Sequence, residues 1–501
     1  RYKGLDITVQ DSLKIIPFSL REACKKKNYD TKFKKISDGV DYDAELSDEY
    51  CLHDVLCLSE LVSIQINEGF NPTNTVSLAA WCLRDYKEKL FNDSPLGKKY
   101  IQLKVNNKKA QNPSKCYRYY FPRLDDKYDF AEDTSSFGVK SMDAYARNSY
   151  RGGLTYCNPR NANTIFISKW FYDKYKDTPQ LKEVLEKGNC KVVNYLSHLD
   201  VNSLYPSKCL KGYKTFNTLP VGKPRLVDGG MDVRLIEDTK ANKKHFIVRF
   251  SCRFNIKPDK FPTIQIKGSY FNPNEWLTSN KLQIGDTVFD YPVHITLTDI
   301  EFFDFLERYD VEDLKIRDHM IFDRVERCED LFNCYMGYYY NLKANTSKSE
   351  HFVQYQSYKL KLNGLTGKFG SSVIASIKKP YIDDNGAIQL ETIEKDDSQY
   401  PLTKQSEYTP IISFITAMGR LTLVQEMDKA GLDGYITGDT DSLFTATEER
   451  FIPSLGISHT EIKNNTAKII FDISLKIPQP LIAVGVSLSM PYFSLVSIES
   501  T

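Results

Sequence analysis

"GYITGDTDSLF", residues Gly434–Phe444, sets Asp439 and Asp441 one residue apart between two apolar, β-prone runs. In extended chain, residues i and i+2 point the same way, so both carboxylates converge on one spot. Two like charges so close repel, and in a half-buried strand one of them tends to keep a proton. A divalent cation bound between them relieves the repulsion. The same residues also suit an Asx-type turn at a hairpin tip. A metal reading therefore needs at least one more carboxylate from elsewhere in the chain.

Asp200 is the candidate. It ends the strand-like run "VVNYLSHLD" and is followed by "VNSLYPS", in which Pro206 cannot continue a ladder. A carboxylate leaving the edge of a strand suits a ligand, though it suits a turn as well. Between the two acidic places, residues 351–368 have a helical pattern that carries Lys359 and Asn363 at i and i+4, on one face. Such a pair can hold a phosphate and a sugar or base edge; a solvated lysine face is the alternative. In sum the order is strand–Asp, Lys-bearing helix, Asp-x-Asp hairpin, which is what two-metal phosphoryl transfer requires. Two divalent ions about 4 Å apart repel by roughly 17 kcal/mol at an effective dielectric near 20, so carboxylates and a polyphosphate must gather around them. An all-oxygen donor set suits Mg²⁺ better than zinc.

The rest of the chain is compatible with several domains. It has 501 residues, of which 41% are apolar and 26% charged. The net charge of +2 neither favours nor excludes a polyanionic partner, because a basic cleft can hide in a balanced total. The eleven cysteines are scattered, with no CxxC pair, which points away from zinc and disulfides and towards a reducing, intracellular setting. Pro478–Ile498 carries no charge. Its length would permit a membrane span, but its prolines and serines make a poor helix, and we expect a β-rich or disordered end, or a miscoded terminus, with no membrane partner.

Periodicity predicts helices at 47–66 (with Ser47 as N-cap), 298–309, 329–343, 351–368 and 410–427. Residues 213–296 look β-rich, residues 192–200 form one strand, and hairpins are expected at 377–400, around "DDNG", and at 434–446. Residues 91–145 are polar with weak periodicity.

"DVNSLYPS" (200–207), "KLKLNGLTGKFG" (359–370) and "TGDTDS" (437–442) resemble, in order, motifs A, B and C of family B DNA polymerases. "YRGG" (150–153), "FPTIQIKGSYF" (261–271) and "TAMGR" (416–420) resemble the protein-primed branch of phages and linear plasmids. The resemblance runs from Asp11 to about Lys468. It implies an α+β fold: a right-hand polymerase with palm, fingers and two protein-priming insertions, and the remnant of an RNase H-like 3′–5′ exonuclease domain. The implied divisions are 1–73 exonuclease remnant, 74–212 connecting segment and palm with motif A, 213–330 first insertion, 331–370 fingers with motif B, 371–408 second insertion, 409–478 palm with motif C, and 479–501 an atypical tail.

The implied roles follow residue by residue. Asp200 and Asp441 would bind two Mg²⁺ ions (or Mn²⁺), completed by the Val201 carbonyl and supported by Asp439. Tyr205 would pack under the incoming sugar and exclude a 2′-hydroxyl. Lys359 would bind the triphosphate and Asn363 would line the nucleotide pocket, with Lys343 a second phosphate candidate. Thr366 stands where the family has an aromatic on the new base pair. Tyr150, Arg151, Gly152 and Gly153 would touch the template strand, and Thr416 and Arg420 the primer terminus. Tyr50 and Asp54 match the Tyr-x3-Asp exonuclease motif, whose two companion motifs are expected upstream of residue 11. The Lys-x-Tyr motif expected after "TAKIIF" is absent, so the resemblance implies a piece clipped at both ends.

The implied function is template-directed addition of dNMPs to a 3′-hydroxyl. Its partners would be primer-template DNA, dNTPs and a terminal protein, acting on a monomer in a host cytoplasm or a mitochondrion. The alternative is a catalytically inactive DNA-binding remnant of a mobile element. An RNA-copying enzyme is a further rival, against which Tyr205 argues.

Overall fold

The computed structural model describes residues 19–24, 32, 48–67, 77–124, 141–265 (without 162–163, 188, 195–196 and 202), 276–371 (without 285–286 and 291–293), 376–382, 388–394, 407–446, 460–463, 482–484 and 495–497. Ser47, the DDNG turn, residues 266–275 of the first insertion, "TAKIIF" and most of the uncharged tail lie outside the described residues.

A five-stranded antiparallel sheet carries the motif hairpin. Its order is Thr155–Cys157, Tyr435–Asp439, Ser442–Thr445, Ser197–Val201 and Thr460–Lys463. The long Pro410–Gly434 helix packs behind it, and Leu423, Val424 and Met427 meet Leu154, Val201, Tyr435 and Leu443 in one buried cluster. Burial of each such side chain contributes about 1.5–3 kcal/mol, enough to fix which face of the sheet turns inward.

A second antiparallel sheet runs His294–Thr298, His245–Ile256, Tyr309–Phe322, Arg225–Asp228. The expected period-two pattern over 245–256 is present, but the first six residues are all buried. Phe246, Val248, Phe250 and Phe254 pack on Phe302 and Phe305 of the Asp299–Arg308 helix, while the opposite face is covered as well. That helix starts with a capping box in which Thr298 and Glu301 satisfy each other's backbone N–H groups.

A third, helical layer joins Leu78–Asn92, Pro113–Tyr120 and Phe352–Phe369 to the Pro410–Gly434 helix in the largest core. Tyr86 lies at its centre, stacked on Phe332 at 5.3 Å and 13° and edge-on to Tyr117 and Tyr335.

Three sequence expectations are corrected. Among the described residues, the polar stretch 91–145 includes the short α-helices Pro95–Leu103, Pro113–Tyr120 and the start of Met142–Ser149, each begun by a polar cap from Ser94, Asn112 or Ser141. Caps rather than periodicity specify them. The single strand expected at 192–200 is two: Asn189–Val193 pairs in parallel with Thr164–Ser168, whereas Ser197–Val201 belongs to the motif sheet. The helix expected at 329–343 is interrupted by a π-turn at Asn333–Gly337. Among the described residues, no helix is long and apolar enough to cross a membrane.

Candidate active site

Asp200 and the Asp439–Asp441 tip meet through strand pairing. In register, Asp200 stands opposite Ser442, next to Asp441, and the Val201 N–H donates to the Asp441 carbonyl at 2.7 Å. At the tip, Thr440 takes φ +54°, a left-handed conformation uncommon for a β-branched residue. Such a residue costs about 1–3 kcal/mol and persists only where neighbours hold it. Here the Thr440 N–H donates to Leu154 O at 2.7 Å, its hydroxyl donates to Asp439 Oδ1 at 2.9 Å, and the Asp441 N–H donates to Asp439 O at 2.6 Å. The Thr155 hydroxyl gives Asp439 Oδ1 a second hydrogen bond at 2.8 Å. Ser203, three residues beyond Asp200, is likewise left-handed at φ +56°.

Charge gathers where these turns meet. Burial pushes the Asp441 carboxyl up to about 6, Asp200 and Asp439 push it further in the same direction, and Lys359 opposes them. The two half-buried carboxylates Asp200 and Asp441, the exposed Asp439 and the exposed Lys359 thus act on one point. Among the described residues, no group of three or more His, Cys, Asp or Glu side chains forms a metal cage by itself. The donor set is instead a pair of hard carboxylate oxygens whose mutual repulsion is incompletely offset. This chemistry fits Mg²⁺ that takes its remaining oxygens from a carbonyl, water and a polyphosphate.

Tyr205 stands at the start of the Leu204–Lys211 helix, with Gly419 against its ring and Gly153 against its hydroxyl. A Cβ on Gly419 would lie 3.0 Å from that ring, and one on Gly153 would lie 2.9 Å from its hydroxyl and 2.8 Å from the Thr440 side chain. Glycine is needed at both positions for that approach. Tyr150 reaches the end of the motif-B helix, where a Cβ on Gly370 would meet its hydroxyl at 2.8 Å. Asn363 is exposed on the same helical face as Lys359.

Other residues singled out in the sequence are not at an open surface. Lys343 is buried and donates to Ser203 Oγ at 2.9 Å, bracing the turn after Asp200. Thr366 is buried and donates back to Asn363 O at 2.8 Å. Thr416 is buried and donates to Ile412 O. Arg420, 4% exposed, donates through Nη1 to the carbonyls of Arg151 and Gly152 at 2.6 and 2.7 Å, and through Nη2 to Glu301. Its guanidinium therefore fixes the YRGG turn. Glu301 went unrecognised because its place in a capping box already explains an acidic residue there. Tyr50 and Asp54 lie together on the Asp48–Asn67 helix, which packs on Val353 at the start of the motif-B helix.

The fold is similar to phi29 DNA polymerase in its ternary complex with primer-template DNA and incoming nucleotides. The TM-score is 0.59 at 23% identity, covering 88% of this chain and 61% of that one. Sheet and helical layer together give an α+β fold similar to that polymerase. The family described as DNA polymerase type B, organellar and viral, matches residues 187–422. The DNA polymerase of Bacillus phage PZA is 28% identical over 461 residues, 89% of this chain and 63% of that protein. That of Streptococcus phage Cp-1 is 28% identical over 255 residues, 49% and 38% of the two chains. Over these stretches the chain is similar to the type B DNA polymerases. It spans about 63% of the length of the PZA relative.

Proposed function

We propose that this chain is a DNA-directed DNA polymerase that adds dNMPs to a primer 3′-hydroxyl under the direction of a template. The observation that carries this reading is the convergence of Asp200, Asp439 and Asp441 opposite Lys359 at adjoining strand ends. Asp200 and Asp441, with the Val201 carbonyl, would hold two Mg²⁺ or Mn²⁺ ions, and Asp439 would support them. When bound, the ions supply Lewis acidity at the attacking oxygen and charge neutralisation at the departing pyrophosphate. Lys359 binds the triphosphate, and Asn363 lines the pocket beside it. The Tyr205 ring, held between Gly153 and Gly419, blocks a 2′-hydroxyl. Tyr150 and the turn Arg151–Gly153, held by Arg420, lie along the template.

The division of the chain proposed from its motifs places this chemistry in the palm at 74–212 and 409–478, with fingers at 331–370. The 213–330 segment would meet a terminal protein in protein-primed replication, in a host cytoplasm or mitochondrion. Tyr50 and Asp54 would be what this chain keeps of a proofreading site.

Magnesium-dependent extension of a labelled primer tests the reading. The unsubstituted chain should extend the primer with dNTPs, and Asp200→Asn or Asp441→Asn should lower the rate by roughly a hundredfold or more, since loss of a metal ligand exceeds loss of a group that merely orients one. DNA bound without extension by the unsubstituted chain would contradict the proposal and favour an inactive remnant.

A further inference from the structure

Lys359 and Asn363 are exposed on one face of the Phe352–Phe369 helix, and Lys361 stands midway between them in sequence. In a helix of 3.6 residues per turn, a residue two away from each of them turns to the opposite side. Lys361 is accordingly buried, at 7% exposed, although it is a lysine. Three aromatic rings surround its ammonium. Nζ lies 4.5 Å from the centre of the Trp81 ring, 5.4 Å from that of Tyr339 and 5.8 Å from that of Tyr358. All three fall within the roughly 6 Å at which a ring face attracts a cation, and the loss of water on burial strengthens that attraction.

The cage joins three elements. Trp81 belongs to the Leu78–Asn92 helix, Tyr339 to the Tyr338–Ala344 helix, and Tyr358 to the motif-B helix itself. Trp81 meets Tyr339 edge-on at 6.3 Å, and Tyr339 lies 6.3 Å from Tyr358. From the π-turn at Asn333–Gly337, the Tyr335 hydroxyl donates to the Lys361 carbonyl at 3.1 Å, so main chain and side chain of Lys361 are both held. The Tyr339 hydroxyl donates to Asp85 Oδ2 at 2.8 Å. Burial pushes the Asp85 carboxyl up while Tyr339, Lys89 and Lys361 oppose it, which gives the caged charge an acidic neighbour. Three residues beyond Lys361, Gly364 brings the helix close to Leu78–Asn92, where an added Cβ would lie 3.1 Å from Cys82 Sγ.

From this geometry we infer that Lys361 is a positioning residue for the nucleotide site. Its caged ammonium fixes the rotation and height of the motif-B helix, and through the helix the direction in which Lys359 and Asn363 face. Leu362 and Leu365, buried beside it, fill space without a preferred place on a ring, whereas a cation is drawn to the ring face. The inference rests on the polymerase reading for its ligand, a deoxynucleoside triphosphate, but its test does not depend on extension.

Equilibrium dialysis of labelled dNTP against the 501-residue chain, with Mg²⁺ and a dideoxy-terminated primer-template, gives Kd without chemistry. Primer extension gives kcat and KM separately. Lys361→Met keeps the bulk of the side chain and removes its charge. It should raise Kd and KM about fivefold and leave kcat within about twofold, the pattern of a lost binding contribution common to ground and transition states. Lys361→Arg, whose cation also stacks on aromatic rings, should restore both. Trp81→Leu leaves the charge and removes the nearest ring; it should raise Kd about as much, and the two changes together should raise it no further than either alone. An unchanged Kd in folded Lys361→Met, judged by thermal melting, would overturn the inference, and a lowered melting temperature at unchanged Kd would make the residue merely structural. Arg as weak as Met, or effects of Lys361→Met and Trp81→Leu that multiply, would overturn it too. If Trp81→Leu does not fold, the Met and Arg variants decide. An unsubstituted chain that binds dNTP with these shifts but does not extend primers would sink the polymerase reading and leave the inference standing; one that binds no dNTP would sink both.

Discussion

Tyr205 carries the sharpest residue-scale consequence. Gly419 approaches its ring and Gly153 its hydroxyl, so its position depends on both remaining glycine. Tyr205→Val should lower the preference for dNTPs over rNTPs by at least about tenfold, the effect of removing a steric and packing contact of roughly 1.4 kcal/mol or more. Single-nucleotide incorporation with matched dNTP and rNTP measures it, and an unchanged ratio would remove Tyr205 from the role. The carboxylates were legible in the sequence because i, i+2 spacing puts two side chains on one side of a strand. Pairing of Ser442 with Asp200 was not, since nothing local to either segment specifies which strand it meets. Arg420 was expected at the primer terminus but is spent on two carbonyls and Glu301. A buried arginine and an exposed one look alike in a motif.

Between elements, Glu301 is the joint. It caps its own helix through Thr298 and pairs with Arg420 from the Pro410–Gly434 helix, which in turn holds the Arg151 and Gly152 carbonyls. Removing one partner of a buried pair strands the other charge, so Glu301→Gln should destabilise the protein by about 3 kcal/mol or more. Urea unfolding measures this, and Glu301→Gln combined with Arg420→Gln should cost less than the sum of the two single changes. A negligible effect of Glu301→Gln would contradict the buried pairing. Long periodic helices such as Phe352–Phe369 and Pro410–Gly434 were predictable from the sequence. The short ones between 95 and 149 were not, because eight or nine residues give little more than two turns and their caps are single polar residues. The break between Val193 and Ser197 was also hidden, because the strand formers Val192, Val193, Tyr195 and Leu196 run straight across it in sequence.

Across the whole molecule, aromatic and thiol side chains are buried together, which makes the fold sensitive to alkali. Burial pushes the thiols of Cys82, Cys116, Cys252 and Cys328 up to about 12 from an ordinary 9. The folded state therefore holds these protons where the unfolded chain releases them. Their stabilisation is complete below pH 9 and is lost as pH rises towards 12. Lys208, pulled down to about 8 by burial, works the other way between pH 8 and its ordinary 10.5, as does Lys87, which burial also lowers, but the raised thiols outnumber these two lysines. The urea midpoint should accordingly fall between pH 8.5 and 10.5, and a constant or rising midpoint would contradict the burial of these groups.

The central claim is that Asp200 and Asp441 jointly hold two divalent ions against a nucleotide that Lys359 grips. Electron paramagnetic resonance can count bound Mn²⁺ on the chain with a dideoxy-terminated primer-template and the next dNTP, where no chemistry occurs. The account predicts two ions per chain, falling in Asp200→Asn and Asp441→Asn. The same number of tightly bound ions in all three proteins would contradict it.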